Sequence, residues 1–134
     1  DVWSGTSANE LRRDGLACER WNMLNTDLPP KTPYVTEVLQ SEKGPFVMAT
    51  DYMKVYSDQL RPYIPGNFKV LGTDGFGRSD SREKLRYFFE VNRYFIVISA
   101  LKALSEEGQI KPEQINQAMK KYGISGNKPD PFYL

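Results

Sequence analysis

Two short apolar runs, Pro45-Phe46-Val47-Met48-Ala49-Thr50 and Phe68-Lys69-Val70-Leu71, each hand over through a turn to a stretch with helical spacing. That alternation constrains the fold more than any other feature. Strand, helix and strand in succession imply parallel strands joined by right-handed crossovers, since only that hand packs the helix back on the sheet. Asp51 stands where a helix cap is needed, and Met53, Tyr56 and Leu60 then share one face until Pro62 and Pro65-Gly66 end it. After the second run come ten residues, Gly72-Thr73-Asp74-Gly75-Phe76-Gly77-Arg78-Ser79-Asp80-Ser81. Asp80 with Glu83 reads as an acidic cap before an apolar face made by Leu85, Phe88 and Phe89. Both runs read as strands buried on both faces, and the class is α/β with a mostly parallel sheet.

The flanking segments add helices. Ser7 followed by Glu10 is a capping box, predicting a helix towards Leu24 with Ala17, Trp21 and Leu24 on one face and a weak point at Gly15. Pro29, Pro30 and Pro33 predict an irregular connection, followed by a short helix over Tyr34 to Leu39. Asn92 is placed to cap a helix closing at Gly108, apolar nearly all round in its first half and so expected between the sheet and another layer. The alternative, Tyr94 to Ile98 as a strand, is the weaker reading. Pro112 opens a last helix with the stripe Ile115, Ala118, Met119 and Tyr122 before Gly123. Residues 124–134, with Pro129 and Pro131, are expected to be an irregular tail of a single domain spanning 1–134. The chain begins at Asp1, inside a strand-like Val2-Trp3 pair, and is expected to continue a longer polypeptide.

Composition narrows the function. At 134 residues, 40% hydrophobic, the chain can bury roughly two thirds of its unfolded surface. Eighteen basic against seventeen acidic side chains give no nucleic-acid footprint. The longest apolar run, Tyr94 to Ser99, is far short of the roughly 20 residues that cross a membrane. A single cysteine, Cys18, fits a reducing cytoplasm and reads as a small core residue. The absence of histidine removes the usual general base and the Ser-His and Cys-His nucleophile pairs.

The glycine stretch falls one residue short of the phosphate loop G-x-x-x-x-G-K-[ST], through Gly72, Gly77, Arg78 and Ser79, with arginine in place of lysine. A nucleotide-binding module is therefore one alternative reading. Against it, a planar guanidinium does not replace a compact ammonium, and Asp74 and Asp80 repel phosphate. The plainer reading is a tight turn in which the glycines take positive φ and Asp80 or Ser81 caps the next helix. Asp51, at the end of an apolar strand, is placed like a metal carboxylate but serves equally as a cap. Glu83, Glu90, Glu106 and Glu107 have no metal-ligand spacing. Trp3, Trp21 and the eight tyrosines read mostly as core or interface. No catalytic, cofactor-binding or metal-ligating set emerges.

Taken together, these stretches carry a resemblance. Asp1-Val2-Trp3-Ser4, Thr6-Ser7, Glu10-Leu11, Arg13-Asp14-Gly15 and Cys18 to Leu24 resemble the C-terminal part of the homodimeric bacterial pyruvate dehydrogenases. So do Thr50 to Lys54, Val70 to Arg82 and Phe89-Glu90-Val91. Gly72, Asp74, Phe76, Gly77 and Ser79 form a theme similar to the transketolase superfamily at large. The resemblance implies a transketolase C-terminal-domain-like three-layer sandwich, lacking its first strand and helix. It implies thiamine diphosphate and Mg2+ in the full-length enzyme, held by preceding domains, with none bound by this fragment. It also implies a second identical subunit and a lipoyl acetyltransferase partner. Tyr87 and Phe88 depart from the polar, often histidine-containing pair of that family. A free-standing interaction domain of shared ancestry is the other alternative.

Overall fold

A computed structural model describes every residue from Asp1 to Leu134. In chain order the elements are α1 (Ala8–Leu24), α2 (Tyr34–Leu39), β1 (Phe46–Ala49), α3 (Lys54–Asp58), β2 (Phe68–Leu71), α4 (Arg82–Phe88), α5 (Arg93–Glu106) and α6 (Pro112–Tyr122). Single 3₁₀ turns lie at Arg61–Tyr63 and Pro131–Tyr133. β1 and β2 pair in parallel, Phe46 opposite Phe68 and Ala49 opposite Leu71, as the repeated strand-to-helix order requires. α3 and α5 both pack on the strands, with α1 behind α3, α2 against α1, and α6 behind α5. The α/β layering is consistent with the one the resemblance implies.

Local chemistry explains most element ends. The Ser7 hydroxyl accepts the Glu10 amide at 3.2 Å, while the Glu10 carboxylate pairs with Arg13 instead of reaching back, so only half of the predicted capping box forms. Asn92 caps α5, its Oδ1 accepting the amides of Tyr94 at 3.0 Å and Phe95 at 3.1 Å. α6 starts with Pro112 and stops at Gly123, which is left-handed at φ 65.

Four expectations are corrected. The buried stripe of α1 is Ala8, Gly15 and Cys18, with Ala17 and Leu24 exposed. The helix runs unbroken through Gly15, which admits the buried Tyr63 ring that a Cβ at that position would overlap. The strands are not buried on both faces: only Phe68 is fully buried and Ala49 is exposed. A sheet of two strands has too little area to be covered continuously. Val2 and Trp3 pair with no strand and are exposed. The helix expected from Asp51 begins only at Lys54, leaving Met53 exposed and Leu60 buried beyond its end.

Candidate functional site

The glycine loop leaves β2 and crosses the entrance of α3 at backbone contact. Gly72 is buried, and a Cβ on it would lie 2.7 Å from the Lys54 amide nitrogen and 2.7 Å from the Tyr52 carbonyl oxygen. The Thr73 amide donates to the Tyr52 carbonyl at 2.8 Å, and its hydroxyl donates to the Asp51 carbonyl at 2.8 Å. Asp74 Oδ1 accepts the Lys54 amide at 2.9 Å. Asp74 therefore caps α3 from twenty residues away, in the role that local sequence assigns to Asp51. Asp51 is exposed, 3.7 Å from Arg86.

Of the three glycines, Gly75 alone has positive φ, at 100, and a Cβ there would meet the Pro131 carbonyl oxygen at 2.7 Å. Gly77 has open space around it and no positive φ, correcting the expectation for that residue. Asp80 accepts the Ser81 amide at 2.7 Å, while Ser81 caps α4 by accepting the Lys84 amide at 3.4 Å. Arg78 stacks over the Phe88 ring, 5.0 Å from its centroid. The Pro131 carbonyl and the carboxylates of Asp74 and Asp80 put acceptors around the loop, and α4 has only seven residues. Arg78, Arg82 and Arg86 supply donors beside the loop, but the carboxylates of Asp51 and Asp80 share that hollow and repel phosphate, so the loop is poorly suited to hold it.

Beyond the carboxyl end of β1 a cleft of about 950 Å³ opens between the first turns of α4 and α5, lined among others by Thr50, Asp51, Arg82, Arg86 and Arg93. A hollow of about 510 Å³ beside the glycine loop shares Asp51, Arg82 and Arg86 with it. Sequence reading passed over these arginines. The available signal was the four-residue spacing of Arg78, Arg82 and Arg86. The cleft mixes charges and supplies no nucleophile paired with a base.

The remaining candidates serve the fold. Glu106 is held by Lys69 at 2.6 Å, with Asn67 at 3.1 Å and Lys102 at 3.6 Å. The Lys69 and Asn67 hydrogen bonds hold its carboxyl below the ordinary value. Glu107 accepts from Gln109 at 2.8 Å. No three cysteine or carboxylate side chains converge as metal ligands; Glu83 lines the open cleft. Burial, with Asp14 nearby, pushes the Cys18 thiol up, away from the reactive thiolate. Trp21 carries the Lys31 ammonium 4.7 Å over its ring.

One cluster had no clear sequence signal. Lys128, from the tail, donates to the Phe88 carbonyl at the end of α4 and to Glu90, each at 2.9 Å. Its ammonium lies 5.7–5.8 Å from the rings of Tyr87, Phe88 and Phe95. The aromatic pair Tyr87 and Phe88 is thus part of the wall of a lysine pocket.

A short parallel sheet between helical layers, with a rigid glycine turn after its second strand, defines the class. The family model described as the transketolase-like TK C-terminal domain matches residues 1–92, and the chain belongs to that family. Among named proteins it is similar to the pyruvate dehydrogenase E1 component of Pseudomonas aeruginosa, 55% identical over 98% of this chain. The proteins of the same name from Cupriavidus necator and Escherichia coli are each 47% identical over 98% of it. In every case the chain spans about 15% of the relative's length.

Proposed function

We propose that this chain is the non-catalytic C-terminal domain of a thiamine-diphosphate-dependent pyruvate dehydrogenase, residues 1–134 forming one partial domain with an irregular tail from 124. The whole enzyme decarboxylates pyruvate and passes the acetyl group to lipoyl groups of an acetyltransferase partner. It works in the cytoplasm. The domain's part is mechanical: it supports the dimer and packs against the preceding domains, which hold thiamine diphosphate and Mg2+.

One observation carries this reading. The glycine loop uses Thr73 and Asp74 to hold the entrance of α3, and the arginines beside it share their hollow with the carboxylates of Asp51 and Asp80. A diphosphate and its magnesium need converging donors and carboxylates, and these residues do not fit that group.

Deleting residues 1–134 from the full-length enzyme is expected to abolish the dimer in sedimentation velocity. A truncated enzyme that stayed dimeric and fully active would refute the mechanical role.

A further inference from the structure

Around the glycine loop the chain leaves an aromatic surface that no other part of the domain covers. Phe76 is 78% exposed, Tyr52 68%, Met53 59%, Val55 66%, Phe132 54% and Tyr133 82%. The three segments that carry these residues are joined to one another. The Thr73 amide bonds the Tyr52 carbonyl and Asp74 bonds the Lys54 amide, fixing the loop to residues 52–54. Pro131 and Phe132 lie against Gly75, one residue from Phe76.

We infer that this surface is the docking face for the preceding domains of the same polypeptide. The inference rests on the function proposed above and identifies where that packing occurs. Aromatic side chains bury about 150–250 Å² each, so the four rings, each more than half exposed, offer on the order of 500 Å² before Met53 and Val55 are added, enough for one side of an interdomain contact. Isolated monomers seldom expose so large an apolar patch. The proteins of the same family that match this chain are between six and seven times its length, judged from the 15% coverage, so most of such a polypeptide lies outside it. The family model is that of a C-terminal domain, which puts the missing part upstream. Phe76 also follows a loop whose backbone is fixed at Gly72, Thr73, Asp74 and Gly75, so the point from which its exposed ring projects is preorganised for a partner. The occupant is accordingly an apolar face of the upstream domains, with room for the two tyrosine hydroxyls at its rim.

The test uses the full-length enzyme carrying Phe76→Cys or Tyr133→Cys, with Gln117→Cys on the exposed side of α6 as the reference. Maleimide labelling of the native protein, read by mass spectrometry at each site, is expected to be at least tenfold slower at positions 76 and 133 than at 117. Equal rates would overturn the docking face while leaving the proposed function standing. A thiol-linked photocrosslinker at position 76 then identifies the occupant. Crosslinks to upstream peptides that leave the single-chain mass unchanged support the proposal. A band of doubled mass would instead make the face a contact between subunits and refute it. A natural reading frame with no upstream domains would refute the proposed function itself.

Discussion

At the scale of single residues, packing decides what glycine does in this chain. Gly75 combines φ 100 with the Pro131 carbonyl against its missing side chain, so Gly75→Val is expected to cost on the order of 2–4 kcal/mol in urea unfolding. Gly77→Val, in open space, is expected to stay within about 0.5 kcal/mol, and equal losses at both positions would remove the argument. Gly15 poses a contest between two effects. Alanine gains about 1 kcal/mol of helix propensity, whereas its methyl would overlap the buried Tyr63 ring at an overpacking cost of about 1–3 kcal/mol. Gly15→Ala is therefore expected to lower the urea midpoint despite being a better helix former. None of the three outcomes is legible in the sequence, because each depends on atoms from another segment: Pro131 for Gly75, Tyr63 for Gly15, and their absence for Gly77.

At the scale of elements, what the sequence made legible is what local chemistry determines. Asn92 and Ser7 cap their helices through bonds spanning two or three residues, and β2 and α2 have the predicted bounds. Where a long-range partner intervenes, local reading fails. Asp51 looked like the cap of α3, but Asp74 takes the role through a turn twenty residues on. The irregular tail has an anchor that local reading did not show, because Lys128 acts through α4 and α5 and not through its neighbours. With its side chain only 13% exposed, Lys128→Met is expected to cost about 1–3 kcal/mol and to speed proteolysis of residues 124–134. The exposed Lys121→Met serves as the control, and indistinguishable behaviour of the two would dismiss the anchor. Glu106 ties β2 to α5 through Lys69, and its lowered carboxyl gives that tie a pH dependence. Because the folded value lies below the ordinary 4.5, the contribution is complete above that pH and is lost as pH falls through the folded value. Glu106→Gln is expected to flatten the stability profile below pH 4.5 while leaving its shape near pH 7 unchanged; an unaltered acid limb would contradict this.

For the whole molecule, the parallel α/β class and the family were readable from strand-to-helix alternation and from the loop motif, while the extent of burial was not. Apolar strands and a nearly all-apolar α5 predict a deep interior, yet Val97 remains 38% exposed and Ala49 is open. Periodicity measures what a segment can bury, whereas the neighbours present decide what it does bury. The same mismatch explains why the candidate residues do not assemble into a catalytic set. Glycines, carboxylates and arginines were all present, but Thr73, Asp74, Asp80, Glu106 and Lys128 are spent on turns, caps and ties between elements. The central claim, that this domain supports an enzyme without performing its chemistry, is tested most directly by calorimetric titration of the 134-residue chain with thiamine diphosphate and Mg2+. The expected result is no saturable heat up to about 1 mM ligand. Saturable binding at micromolar Kd would contradict it.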